Sequence, residues 1–207
     1  MKIASASFVR SVTSPAGLPA DGVPQIALVG RSNVGKSSLI NALTGQRLAR
    51  TSAAPGKTRL LNLYEVIVRQ ARSDALYLVD LPGYGYARGG AASTRAFDRL
   101  ARDYFGTGEA RGAPSGPAGV LLVVDARHPG LPQDVGAAGW TAQRGLPAIA
   151  VASKIDKLSR RERIAALDEA RAALGTDVVG VSSATGEGVA ELWRRILGLV
   201  RGPGAIM

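Results

Sequence analysis

The chain contains no cysteine and a single histidine, His128. Disulfides and thiolate metal sites are thereby excluded, as is any site built from several imidazoles. The missing thiols also fit a reducing compartment. Long apolar runs are absent too. The longest, Gly119 to Val124, stops at Asp125, far short of the roughly 18–20 residues that cross a bilayer. The opening MKIASASFVRSV lacks the continuous apolar centre of a secretion signal, so a cytoplasmic protein is expected. Acidic residues are scarce: 16 Asp and Glu stand against 26 Lys and Arg, a formal charge of +10. Of those basic residues 21 are arginine, which suits phosphate and base stacking better than lysine does. The excess points to a polyanionic partner, RNA ahead of an anionic membrane surface.

What is present is the composition of a globular domain: 207 residues, 46% of them hydrophobic, a length that supports one sizeable core. Strand-like runs alternate with helix-like ones, the pattern of an α/β protein with a mostly parallel sheet. QIALVG, LLNLYEVIVR, ALYLVD, GVLLVVDA, PAIAVASK and TDVVGVSS read as strands. The second and third of these predict an antiparallel hairpin. Five helices are expected, giving a mixed six-stranded sheet covered on both faces. The Gly/Pro-rich segment Gly106 to Gly119 reads as a flexible surface insertion within the domain.

Directly after the first strand, Gly30-Arg-Ser-Asn-Val-Gly35-Lys36-Ser37 fits the phosphate-loop pattern G-x4-G-K-[ST]. A helix follows, with Leu39, Ile40 and Leu43 on one side. A phosphate needs a concave array of backbone N–H groups, and a helix N-terminus provides part of one. Glycine lets the backbone approach without a Cβ clash. Lys36 is placed to reach the β- and γ-phosphates, and the Ser37 hydroxyl to ligate magnesium.

Four further loops carry the rest. Asp80 and Gly83 have D-x-x-G spacing, with Asp80 at a strand end suited to holding magnesium through water and the Gly83 N–H suited to a γ-phosphate. Thr58, in APGKT, is a candidate to complete the magnesium shell when a γ-phosphate is present. After the fifth strand, Ser153-Lys-Ile-Asp156 supplies a carboxylate that can accept from guanine N1–H and N2–H2; adenine offers no such edge. The Lys154 stem can lie across the base. Val181, Ser182 and Ser183 follow the sixth strand, their backbone within reach of the guanine carbonyl.

These motifs, in order on successive loops, resemble those of the EngB family (also called YihA or YsxC) of bacterial GTP-binding proteins, in the TrmE-Era-EngA-EngB-Septin-like superfamily. GRSNVGKSSLIN, APGKT, DLPGYGYA, VVDARHPGLPQD and SKIDKLS carry the likeness, which spans nearly the whole chain. The chain departs from the family pattern at Ser153, where threonine is commoner, and in the insertion after Phe105.

The resemblance implies a P-loop G domain over residues 25–202, an N-terminal extension (1–24) packed on it and a short tail (203–207). It implies GTP or GDP held by Gly30, Arg31, Ser32, Asn33, Val34 and Gly35, with Lys36, Ser37 and Ser38 opening the helix. Gly56, Lys57, Thr58, Arg59 and Leu60 form a second contact segment, and Asp80, Leu81, Pro82 and Gly83 a third. Ser153, Lys154, Ile155, Asp156, Val181, Ser182 and Ser183 surround the base. Magnesium falls to Ser37, Thr58 and Asp80, and the catalytic roles to Lys36, Thr58 and Gly83.

By the same resemblance the protein is a monomeric GTPase switch in large-subunit ribosome assembly, tied to septation. Its partner is the large ribosomal subunit or its precursor, rRNA and ribosomal proteins together, and not DNA. Tyr84 stands where many GTPases orient water with glutamine, which implies slow intrinsic hydrolysis. GTPases with a similar loop use the asparagine, here Asn33, to help hold potassium beside the phosphates. Two rivals remain: an ATP-dependent small-molecule kinase, disfavoured by SKID and by the lack of a lid segment, and a septation scaffold. His128 reads as structural or as a partner contact, Trp140 and Trp193 as helix-face core residues, and Arg160 and Arg161 as a solvated first turn with RNA contact as the lesser alternative.

Overall fold

Runs of β-branched and leucine residues become strands buried on both sides, and the helices between them close over each face. The computed structural model describes residues 2–50, 60–69, 73–84, 90–106 and 116–201. Its elements are β1 (Lys2–Val12), β2 (Gln25–Gly30), α1 (Lys36–Thr44), β3 (Leu61–Arg69), β4 (Ser73–Asp80), α2 (Gly90–Phe105) and β5 (Gly119–Asp125). They continue with α3 (Pro132–Gln143), β6 (Ala148–Ser153), α4 (Arg160–Leu174), β7 (Val178–Val181) and α5 (Val189–Arg201).

The strands lie in the order β1-β3-β4-β2-β5-β6-β7. β3 pairs antiparallel with β1 and β4, and the remaining pairs are parallel. The expected β3–β4 hairpin is present, and β4 starts at Ser73, two positions before the expected Ala75.

The sheet has seven strands among the described residues, not the six expected. The extra one is β1, at the edge. Its register slips between Ile3 and Ser5 and again between Phe8 and Arg10, so partly covered positions recur about every third residue. Bulges of this kind erase the two-residue alternation by which a strand is recognised.

Alternate residues of each central strand feed separate cores. Ile26 and Leu28 of β2, with Leu121 and Val123 of β5, pack under α1 and α5 against Leu39, Ile40, Leu43, Trp193 and Ile196. Ala27 and Val29, with Leu122 and Val124, face Tyr104 and Phe105 of α2, Ala138 of α3 and Leu174 of α4. Trp193 is 1% exposed, and its indole N–H donates to the Leu43 carbonyl at 3.0 Å, fastening α5 to the end of α1. Trp140 is half-buried, edge-on to Phe105 with the Arg144 guanidinium over its ring. His128 is exposed.

β2 and β5 lie side by side, but the connection leaving β2 runs toward β3 while the one leaving β5 runs to β6, toward the opposite edge. A crevice forms at such a reversal, beyond the carboxyl ends of the strands. Gly30, Asp80, Asp125, Ser153 and Val181 all end strands there.

Candidate nucleotide site

The phosphate loop bonds directly to two of the site's other loops. The phosphate loop leaves β2 and turns through Asn33 (φ 61°) and Gly35 (φ 110°) before α1 begins at Lys36. Gly35 needs the freedom of glycine for that turn; asparagine tolerates the left-handed region through its short polar side chain. Lys36, 8% exposed, donates from Nζ to the carbonyls of Gly30 (3.0 Å) and Arg31 (3.4 Å). Burial lowers the pKa of this ammonium, and the charge of Asp80 opposes that shift. Ser37 and Ser38 are half-buried in the first turn of α1.

Asp80 ends β4 inside the molecule. Among the described residues its Oδ1 is the one buried side-chain oxygen or nitrogen with no hydrogen-bond partner. Burial pushes its pKa up from 3.8 to about 6, against the pull of Lys36. An orphaned buried oxygen is costly unless something binds it. A hard divalent cation with oxygen ligands answers that need, and Ser37 and Asp80 have the donor chemistry for magnesium.

The chain then runs through Leu81 and Pro82 to Gly83, which lies flat against the phosphate loop. A Cβ at Gly83 would stand 2.6 Å from the Ser32 nitrogen and 2.7 Å from its Oγ. Side-chain-free backbone is therefore required at that position. The next residue, Tyr84, forms a parallel bridge with Arg31, and its carbonyl accepts the Ser32 N–H at 3.2 Å. The Tyr84 hydroxyl donates to Asp134 Oδ1 at 2.8 Å. Arg31 Nε donates to both oxygens of the same carboxylate at 3.2 and 3.1 Å. Asp134, in the first turn of α3, is fully buried. Burial, then the Asp134 charge and hydrogen bond, drives the Tyr84 phenol pKa well above its usual range.

The Ser153–Asp156 segment is tied to the phosphate loop by two side chains. Ser153 Oγ lies 2.7 Å from the Val34 carbonyl and 2.9 Å from that of Val124. Lys154, itself left-handed at φ 62°, donates from Nζ to the Asn33 carbonyl (2.9 Å) and to Asp125 Oδ2 (2.8 Å). Asp125 also receives a two-point guanidinium contact from Arg127, at 2.9 and 2.7 Å. Burial raises the Asp125 pKa, but the hydrogen bonds from Arg127 and Lys154 outweigh it and hold the carboxyl well below its usual range.

Ile155 is buried beneath this segment. Asp156 Oδ1 accepts from Ser182 Oγ at 2.7 Å. Ser182 is fully buried, and its oxygen in turn accepts from the N–H groups of Ala184 and Thr185. The Ser182 hydrogen bond, helped by Lys157, lowers the Asp156 pKa. Val181 and Ser183 flank this bond at the end of β7.

The phosphate loop, the Asp80–Gly83 segment and the loops after β6 and β7 are thus neighbours. Gly56, Lys57, Thr58 and Arg59 lie outside the described residues; Leu60 immediately precedes β3. Sequence reading did not single out Asp125, Arg127 or Asp134 as site residues. The Asp that ends an apolar strand was one available signal for Asp125. Nothing local marks Asp134, whose partners lie 103 and 50 positions away. Arg160 and Arg161 are exposed at the start of α4, as a solvated first turn would be.

Residues 25–154 match the family described as 50S ribosome-binding GTPase. The chain is 41% identical to the probable GTP-binding protein EngB of Pelotomaculum thermopropionicum, covering 93% of both chains. It is 43% identical to that of Chlorobium luteolum, over 93% of this chain and 88% of the relative. Among solved structures it resembles a probable GTP-binding protein engB at a TM-score of 0.60 and 23% identity, over 86% of this chain and 98% of that one. It also resembles Era in complex with MgGDPNP and a segment of 16S ribosomal RNA, at 0.68 and 24%, over 84% and 55%. These two likenesses show the fold: an α/β P-loop G domain.

Proposed function

The chain belongs to the EngB family of GTP-binding proteins, within the 50S ribosome-binding GTPases, and from that premise we propose that it is a slow GTPase switch in assembly of the large ribosomal subunit. The same switch serves normal septation. It works as a monomer in the cytoplasm and docks on the subunit or its precursor, contacting rRNA and ribosomal proteins in its GTP state. The +10 charge supports a polyanionic partner. Among the described residues no helix is long and apolar enough to cross a membrane.

One observation carries the nucleotide reading. Ser153 and Lys154 of the base-reading loop are both bonded to carbonyls of the phosphate loop, so the two ends of a nucleotide are received by one braced unit. Asp156, fixed by Ser182, reads guanine. Gly30 to Ser38 cradle the phosphates, with Lys36 stabilising charge on the β- and γ-phosphates and the Gly83 N–H meeting the γ-phosphate.

Ser37, Asp80 and Thr58 are the residues assigned to magnesium, which when bound neutralises phosphate charge. Thr58 also helps complete the catalytic arrangement, and Gly56 to Leu60 contact the nucleotide. With Tyr84 in the place of a water-orienting glutamine, intrinsic hydrolysis is slow. Asn33 is assigned to a potassium ion that supplies the missing positive charge.

Sucrose-gradient sedimentation with each ribosomal subunit tests this reading. Co-migration with the large subunit alone, stronger with a non-hydrolysable GTP analogue than with GDP, is the expected result. Equal distribution with every nucleotide removes the switch.

A further inference from the structure

We propose that Asp134 sets the preference of this site between guanosine di- and triphosphate, acting as a positioning residue through Tyr84 and Arg31. Three elements meet at its carboxylate. One oxygen takes the Tyr84 hydroxyl at 2.8 Å, and both take Arg31 Nε. Arg31 belongs to the phosphate loop, Tyr84 follows the D-x-x-G glycine, and Asp134 sits in α3. The carboxylate is fully buried and Arg31 is 20% exposed, so this ion pair is shielded from screening by salt and water.

The clasp has a definite consequence for the backbone. It holds Tyr84 beside Arg31 in a strand-like bridge, with the Ser32 N–H committed to the Tyr84 carbonyl. Gly83 packs its Cα directly on Ser32. The Ser32 N–H is a phosphate-loop donor already held by the Tyr84 carbonyl, so a γ-phosphate that draws on this corner of the loop competes with that carbonyl. Giving way to it moves the Gly83–Tyr84 segment off Ser32, which stretches or breaks the bonds at Asp134. A diphosphate asks for no such movement. A ligand that requires a minor arrangement binds more weakly by the fraction of molecules already in it. The clasp therefore weakens triphosphate binding selectively. It also gives the γ-phosphate a mechanical output, because the carboxylate it frees belongs to α3 and not to the nucleotide loops.

The inference rests on the guanine-nucleotide reading above, and its test separates the two. Affinities for GDP and for a non-hydrolysable GTP analogue are measured by calorimetry with magnesium for wild type, Asp134→Asn and Tyr84→Phe. Asp134→Asn keeps the shape and removes the charge. Tyr84→Phe keeps the ring and removes one hydroxyl, so it reports even if Asp134→Asn misfolds. In both variants the ratio of triphosphate-analogue Kd to GDP Kd falls, by roughly three- to tenfold, while the GDP Kd stays within about twofold of wild type. A ratio unchanged in Tyr84→Phe overturns the proposal, as do two affinities that move together, the mark of a merely structural residue. A wild type that binds neither nucleotide overturns the guanine-nucleotide reading and this inference with it.

Discussion

Ser153 and Val34 are 119 positions apart, yet the serine hydroxyl lies 2.7 Å from the valine carbonyl and 2.9 Å from that of Val124. The contact joins the end of β6 to the bend of the phosphate loop, in a place where no water competes. Removing the hydroxyl leaves two buried carbonyls without that partner, a loss of about 1–3 kcal/mol. Ser153→Ala is expected to lower the melting temperature and to weaken GDP and GTP equally. Ser153→Thr keeps the hydroxyl and is expected to restore both. Calorimetric titration of the pair decides it; a selective loss of one nucleotide contradicts the bracing role.

Asp156 is held by Ser182 with its charged form favoured. Asp156→Asn presents a donor where the carboxylate accepted, so preference moves from guanine toward xanthine nucleotides. Competition between GDP and XDP measures the change. Unaltered GDP affinity in this variant removes Asp156 from base reading.

Asp80 offers a case in which function and stability oppose each other. A folded carboxyl with a pKa of about 6 against 3.8 when unfolded binds its proton more tightly in the native state. Its contribution is therefore most favourable below 3.8 and is lost as pH rises to about 6. Asp80→Asn is neutral at every pH. Without nucleotide and magnesium, it should be more stable than wild type above pH 6, with the advantage vanishing toward pH 4. The same variant should lose magnesium-dependent tightening of nucleotide binding. Denaturant melts across that pH range, with and without magnesium, test both halves; a constant stability difference rejects the titration.

Asn33 occupies left-handed backbone, and its carbonyl, not its side chain, accepts Lys154. Asn33→Ala therefore confounds loss of the amide with backbone strain of about 1 kcal/mol, whereas Asn33→Gly removes the amide alone. Potassium is expected to accelerate single-turnover GTP hydrolysis relative to sodium in the wild type, and Asn33→Gly to abolish the difference. Equal rates in the two salts for wild type refute the potassium assignment.

Association with ribosomal particles should fall steeply as salt rises, because each phosphate contact releases counterions. Sedimentation at a series of potassium concentrations gives the slope. A flat series excludes a phosphate-dominated interface.

The parts of this site that were legible in sequence are those whose chemistry is local. A glycine, a lysine and a serine in fixed spacing at a strand–helix junction state their purpose without a partner. So does an aspartate three residues past the last strand residue, Ser153. Relationships made by folding were not legible. The register slips in β1 hid a strand in plain apolar residues. Arg31 looked like one more phosphate ligand, and its salt bridge to a residue 103 positions on emerged only from three dimensions. Trp193 was readable as core, but not as the residue that holds α1.

That last contact orders events during the protein's own synthesis. All the described nucleotide loops are complete by Ser183, but α1, the helix that seats the phosphate loop, is capped by a hydrogen bond to Trp193, made 150 positions after Leu43. A nascent chain displays every nucleotide motif before it owns the helix that steadies them. Steadying of the phosphate loop thus waits on α5 and not on the last of the motifs.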